Sequence, residues 1–339
     1  MEKIRISVSK YTNDILLKDM EYFEIFKANG EINRNEFLNR LIINYADEFT
    51  LANRSQSEEV EEILSRYTKL SDFDRASLAN DIIDSLKDDF FFRNIDEETV
   101  VLSLKPTKES GSIIEYLINK EVGNQSISSF FREMFDSYVN MVQTMRERII
   151  FKQTFDVLSK SLEKNRKVFI KLKNEDSWPI TGSVYAVVDS KEELFNYVLL
   201  DVKGKIQTVR LARIDLIKML NEPAEFNDEI IPLMDYQIEH SVQFTVSEED
   251  LKPVKVKINE RGLKLYRKMY LYRPSYYEKE GDIYSFKGSH EKIFSYFKRF
   301  GKDAIIVSPI YLKERMERFY KSGYKGYQGE ETLNSDEEL

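Results

Sequence analysis

The chain has 339 residues, with 51 Lys and Arg against 59 Asp and Glu and a formal net charge of −8. Its 42% hydrophobic and 32% charged residues are globular proportions, and the length allows two or three domains. Cysteine is absent, which excludes disulfide scaffolds, cysteine zinc sites, thiol nucleophiles and iron–sulfur clusters.

The first residues, MEKIRISVSK, hold no apolar signal-peptide core. No apolar run approaches the ~18 residues a spanning helix needs, so a soluble, cytoplasmic protein without membrane contact is expected. Residues 4–9 (IRISVS) alternate apolar and polar and predict a half-buried strand. A helix is predicted over residues 13–28, stopping at Asn29-Gly30. A second starts at the cap-like Asn33-Arg34-Asn35-Glu36 and carries Phe37, Leu38, Leu41, Ile42 and Tyr45 on one face.

The same order recurs downstream. Residues 100–105 (VVLSLK) read as a strand, residues 112–122 as a helix ending at Gly123, and a further helix from Ser126 carries Phe130, Phe131, Met134, Phe135 and Tyr138. Gly30, Phe37, Leu41 and Tyr45 match Gly123, Phe130, Met134 and Tyr138 at an offset of roughly 93 positions, the mark of duplicated units. A strand–helix–helix unit cannot bury its apolar faces alone and needs a partner copy whose strand pairs antiparallel with its own. Residues 3–50 and 98–145 resemble a tandem ribbon-helix-helix fold. The resemblance implies that the outward strand residues Arg5, Ser7 and Ser9, and Val101, Ser103 and Lys105, read duplex DNA in the major groove. Residues 1–150, however, hold about 19 Lys and Arg against about 28 Asp and Glu, a handicap against phosphates, which favours a folding or dimerisation unit. Between the copies, residues 51–97 form a helical insert with Val60, Ile63, Leu64 and Tyr67, then Leu78, Ile82, Ile83 and Leu86. Its run Glu58-Glu59-Val60-Glu61-Glu62 reads as a solvated helix face rather than a metal site.

From Arg166 the period changes to strands, KVFIKLK, GSVYAVVD, FNYVLLDV and IQTVRLARI, with turns at Asn174-Glu175-Asp176, Asp189-Ser190-Lys191 and Lys203-Gly204-Lys205. Short strands this close together suggest a small, strongly bent β-barrel. Phe195-Asn196-Tyr197-Val198-Leu199, Gly204, and Val209-Arg210-Leu211-Ala212-Arg213-Ile214 resemble the WYL domain, an Sm-like barrel of bacterial regulators. The chain keeps Tyr197, Arg210 and Arg213 and departs at Asn196, Val198 and Ala212, the name-giving tryptophan being missing. Alternation on adjacent strands lets Tyr197, Arg210 and Arg213 share a pocket of one phenol and two guanidinium groups, suited to a nucleotide or a strand backbone; the other reading pairs both arginines with acidic neighbours on a barrel rim. Ser183 and Tyr185 on the neighbouring strand join them as candidate ligand-binding residues. Behind this block, VKVKI (254–258), the helix after Gly262, the strands near Tyr276 and 284–286, the helix after His290, Phe300-Gly301-Lys302-Asp303-Ala304 and Val307-Ser308-Pro309 resemble the extension that follows WYL domains.

Residues 252–325 are strongly basic, with about 19 Lys and Arg against about 8 Asp and Glu. The cations interleave with Tyr266, Tyr270, Tyr272, Tyr276, Tyr277, Tyr284, Phe294, Tyr296, Phe297, Tyr320 and Tyr324, of which a third are expected to be exposed for stacking on unpaired bases. Arg261, Lys264, Arg267, Lys268 and Arg273 are the candidate backbone-tracking stripe.

No phosphate loop, HExxH or nucleophile elbow is present, neither His240 nor His290 has ligand spacing, and the pair Asp88-Asp89 reads as a helix end. A non-enzymatic chain without cofactor or metal is expected. The predicted class is α+β: a ribbon-helix-helix-like region over 1–150, an Sm-like WYL barrel over 160–220, an α/β extension over 221–327 that forms a homodimer, and an acidic disordered tail over 328–339. A ribbon-helix-helix region joined to WYL resembles the accessory proteins of type VI-D CRISPR RNA-guided ribonucleases. That resemblance implies a dimer that binds single-stranded RNA and stimulates the effector. Two other readings stand beside it: a DNA-binding transcriptional regulator sensing a nucleotide-like effector, and a small-molecule sensor and interaction scaffold.

Overall fold

The computed structural model describes residues 2–91, 98–120, 126–173 and 178–328. Gly123, the turn at 174–176 and the acidic tail from 329 onward lie outside the described residues. The architecture mixes helices with two- to five-stranded sheets, and the chain divides into two compact units, Met1–Phe155 and Asp156–Leu339.

In the first unit, β1 (Ile4–Ser9) buries Ile6 and Val8 and turns Arg5 outward, as its alternation dictates. The Ser9 hydroxyl accepts from the Thr12 amide and so starts α1 (Lys10–Tyr22) immediately after the strand. That cap places the helix earlier than predicted. The helix also stops earlier, at Phe23, because Glu24 takes a left-handed backbone (φ 54°) and the chain then closes a small bridge between Phe26 and Ile32 around Gly30 (φ 81°). Next comes α2 (Arg34–Tyr67), capped by Asn33 as predicted, with the Glu36 amide donating to Asn33 Oδ1 at 3.2 Å. No glycine or proline interrupts residues 34–67, so α2 continues far into the predicted insert, for about 50 Å. Then α3 (Asp72–Phe91) returns along it, with Ser57 Oγ donating to Asn80 Oδ1 at 2.6 Å.

The region predicted as a second copy holds β2 (Thr99–Leu104), α4 (Lys108–Lys120) and α5 (Ile127–Val139), and α6 (Gln143–Ile150) follows. β1 and β2 pair antiparallel, Arg5 opposite Ser103 and Ser7 opposite Val101. The positions matched between the two predicted copies are all buried: Phe37, Leu41 and Tyr45 of α2 and Phe130, Met134 and Tyr138 of α5. The Tyr138 ring lies edge-on to Phe37 at 6.2 Å and to Tyr45 at 6.5 Å, and Tyr45 Oη is hydrogen-bonded to Ser137 Oγ at 2.9 Å. Beside them sits a buried charge pair. Arg146 grips Asp19 through Nε (2.7 Å) and Nη2 (2.9 Å), and Tyr138 Oη donates to the same carboxylate at 2.9 Å. Burial, reinforced by the Asp19 charge, pushes the Tyr138 phenol well above its ordinary value.

After α7 (Lys152–Glu163), the second unit forms an antiparallel sheet from β3 (Arg166–Leu172), β4 (Ile180–Asp189), β5 (Asn196–Val202), β6 (Lys205–Arg210) and β7 (Ile214–Pro223), in the order β6-β5-β4-β3-β7. A small, strongly bent barrel is the expectation; among the described residues the sheet is open. β6 and β7 are opposite edges, joined by the 3-10 turn Leu211–Arg213, and β7 spends its pairing on β3 over residues 214–223. The irregularity between Val184 and Ala186 bends β4 at Tyr185. α8 (Ile231–His240) covers this sheet through Leu199, Ile230, Met234 and Val242.

A second antiparallel sheet, ordered β11-β8-β10-β9, is built from β8 (Val254–Ile258), β9 (Tyr276–Glu280), β10 (Ile283–Phe286) and β11 (Ala304–Ser308). Helices α9 (Glu260–Lys268), α10 (His290–Phe297) and α11 (Ile310–Gln328) accompany it, around a core of Val256, Phe286, Ile293, Phe297, Phe300 and Leu312. α9 comes so close to the chain at Asp303 that a Cβ on Gly262 would stand 2.1 Å from the Asp303 carbonyl oxygen, so only glycine fits there.

Candidate nucleic-acid interface

Tyr197 on β5 and Arg210 on β6 are direct antiparallel partners, so their side chains rise from the same face of the sheet. The structure therefore brings these two predicted residues together. Tyr197 Oη donates to the Glu193 carboxylate, and the Arg210 guanidinium stacks on Phe195 with its carbon 3.3 Å from the ring centroid. Arg213 is placed differently from the prediction. Strand alternation ends at Arg210, and Arg213 closes the 3-10 turn, exposed, with its carbonyl accepting from the Lys173 amide at 3.0 Å.

Ser183 is buried, and its hydroxyl accepts from the Glu225 amide at 2.9 Å, which gives it a role in holding the sheet. Tyr185 stands at the bend of β4, packs edge-on against Phe226 at 5.8 Å and donates to Asp235 Oδ1 at 2.6 Å. That hydrogen bond, then burial and the Asp235 charge, push the Tyr185 phenol up to about 12. Tyr185 and Tyr197 both flank the apolar cluster under α8.

The residues beside Tyr197 and Arg210 that sequence reasoning missed belong to the loop of residues 190–195. Ser190 Oγ accepts from the amides of Glu192 (3.3 Å) and Glu193 (3.2 Å) and donates to Gln243 Oε1 at 3.1 Å. Glu192 forms an ion pair with Lys292 of α10, whose side chain is only 9% exposed, and accepts from Gln243 Nε2. Burial raises the pKa of Tyr272, and the charges of Glu193 and Glu192 raise it further, which sets Tyr272 within electrostatic reach of this loop. An acidic turn of this kind reads in sequence as solvated; the one signal was the aromatic Phe195 next to it.

On α9 the cations Arg261, Lys264, Arg267 and Lys268 are all exposed, and helical geometry gathers them within an arc of about 120°. Arg261 Nε pairs with Asp303 at 3.2 Å. Arg273 leaves the stripe. It lies beyond the helix end, points Nη1 at the Arg267 carbonyl at 3.4 Å and sits 5.4 Å over the Tyr266 ring, a cation placed at a helix C-terminus. Among the interleaved aromatics, Tyr270, Tyr276, Tyr277 and Tyr324 are exposed, whereas Tyr266, Tyr284, Phe294, Tyr296 and Phe297 are core.

On the β1–β2 ribbon, Arg5, Val101, Ser103 and Lys105 are exposed and Ser7 is partly so, while the Ser9 hydroxyl is engaged in capping α1. Ser128 Oγ and Arg132 Nε donate to the carbonyls of Arg5 and Ser7, each at 2.9 Å. Both histidines are engaged: His240 stacks on Tyr236 at 4.1 Å, and His290 bonds through Nε2 to the Lys252 carbonyl at 2.7 Å and through Nδ1 to Tyr311 Oη. Among the described residues, no helix is long and apolar enough to cross a membrane.

No protein-family model matches the chain, and no curated protein matches it. Among solved structures, one described as "Crystal structure of a CRISPR Cas-related protein" matches with a TM-score of 0.69 at 18% identity, covering 96% of this chain and 94% of that one. Proteasome accessory factor B/C (PafBC) of Arthrobacter aurescens matches at 11% identity over 96% of this chain and 50% of that chain, with a TM-score of 0.26, too low for a shared fold. Over nearly its whole length, the chain is similar in fold to the CRISPR Cas-related protein.

Proposed function

We propose that this chain is a non-catalytic CRISPR accessory protein that binds single-stranded RNA, acts as a homodimer and modulates a type VI-D RNA-guided ribonuclease. The observation that carries RNA binding is the cross-strand pair Tyr197 and Arg210, a phenol and a guanidinium on one face of a sheet. The exposed α9 stripe adds phosphate-tracking cations, with Tyr270 next to it in the chain as a stacking ring. The CRISPR association is supported by the whole-length likeness to a CRISPR Cas-related protein. The WYL reading is supported by the sheet order, in which the last strand returns beside the first as in an opened Sm-like barrel. The ribbon-helix-helix reading is supported by the antiparallel pairing of β1 with β2.

The test is a binding titration of the intact protein with a single-stranded RNA 20-mer and a 20-base-pair DNA duplex at two salt concentrations. Single-stranded RNA is expected to bind more tightly, and Arg210→Ala to weaken it about tenfold, the size of a lost charge-assisted contact. Duplex preference abolished by Arg5→Ala would instead favour the DNA-binding regulator, for which the outward Arg5, Ser103 and Lys105 of the ribbon speak.

A further inference from the structure

The loop of residues 190–195 has the chemistry of the ligand whose place it takes. Its glutamates and its one aromatic ring are each matched to a cation or phenol of the second unit: Glu193 to Tyr197, Phe195 to Arg210 and Glu192 to Lys292. A guanidinium receives the face of Phe195 as it would a base, and a phenol donates to the Glu193 carboxylate as it would to a phosphate oxygen. We propose that this loop is an internal stand-in for nucleic acid, an autoinhibitory plug that RNA must displace to reach Tyr197 and Arg210. The proposal rests on the reading of that face as the RNA site.

The loop is built to hold this position and also to leave it. Its base is fastened: Ser190 is buried, bonds Gln243, and accepts from the amides of Glu192 and Glu193, and the Ser190 amide donates to the Phe195 carbonyl at 2.8 Å. Its tip is strained. Leu194 takes a left-handed backbone at φ 61°, costly for a branched side chain, and its amide donates to the Ser190 carbonyl at 2.9 Å. Release of the tip relieves that strain and frees the Tyr197 phenol and the Arg210 face together. Because Glu192 holds Lys292, displacement is also felt at α10, so the plug links the sheet of Tyr197 to the fold around α10.

The experiment measures the affinity of the full chain for a ten-nucleotide single-stranded oligouridylate, for wild type, Glu193→Ala, Phe195→Ala and the double variant Glu193→Ala/Arg210→Ala. It also follows amide hydrogen exchange at residues 192–194 with and without that RNA. A plug that leaves the site open about one-tenth of the time weakens apparent affinity about tenfold, so Glu193→Ala and Phe195→Ala are each expected to tighten binding by about that factor. In the Glu193→Ala background, where the plug is already released, Arg210→Ala is expected to weaken binding about tenfold, and RNA to speed exchange at 192–194 of the wild type. Glu193→Ala changes one half-buried carboxylate and keeps the test valid should Phe195→Ala fail to fold. Two results overturn the proposal. If both loop variants bind no more tightly than wild type while the double variant binds about tenfold more weakly than Glu193→Ala, the RNA site stands and the plug falls. If the double variant binds as tightly as Glu193→Ala, the site reading falls and the plug with it.

Discussion

Asp19, Arg146 and Tyr138 illustrate how a single buried carboxylate is made tolerable. Two guanidinium nitrogens and one phenol satisfy it, and Arg146 Nη1 also donates to the Met141 carbonyl. Removing one partner strands the other charge, so Arg146→Ala is expected to destabilise the protein by about 3–5 kcal/mol in urea unfolding. Tyr138→Phe, which leaves the ion pair intact, is expected to cost about 1–2 kcal/mol. Gly262 makes a sharper case, since even one methyl group would overlap the Asp303 carbonyl. Gly262→Ala is expected to lower the thermal midpoint by several degrees and to loosen the Asn259–Asp303 side-chain hydrogen bond, now 3.0 Å long, that ties the start of α9 to the turn before β11.

Among the elements, α9 separates charge from stability. Its inner face is held by the buried Tyr266, whose hydroxyl donates to the Pro274 carbonyl at 2.6 Å, while Lys264, Arg267 and Lys268 are exposed. The triple change of these three to alanine is expected to leave the unfolding midpoint nearly in place. It is expected to reduce the salt slope of single-stranded RNA binding by about 2, at roughly 0.7 per lost phosphate contact. The sequence carried β1, the second helix of each copy and the cations of α9, because alternation and helical period are local properties. It did not carry the end of α2, where Thr68 merely closes the last turn on the Leu64 carbonyl after an unbroken run of helix formers. Nor did it show the loop at 190–195 folding onto Arg210, because the path of that loop is set by Gln243 and Lys292, far along the chain. The sequence likewise did not show where the sheet stays open, because that depends on which strand β7 pairs with, and strand periodicity does not specify a partner.

At the scale of the whole molecule, the tyrosines make stability depend on alkaline pH. Tyr185 is held at about 12 by its bond to Asp235, and Tyr296 and Tyr311 are raised to about 12 chiefly by burial. In the unfolded chain the same phenols lose their protons near about pH 10. The folded state therefore binds more protons over that interval. The stability these groups contribute is complete below about pH 10 and is lost as pH rises towards about 12. Thermal unfolding followed at pH 8, 10 and 11 is expected to show a falling midpoint over the last step, and Tyr185→Phe to make that fall shallower.

Because β1 finds β2 within its own chain, closing the ribbon is a first-order event, indifferent to dilution, where a ribbon shared between two chains would come apart as protein concentration falls. The covalent tie also releases the two strands from having to be alike. Arg5 faces Ser103 and Ser7 faces Val101, so the outer face of the ribbon presents two unlike halves.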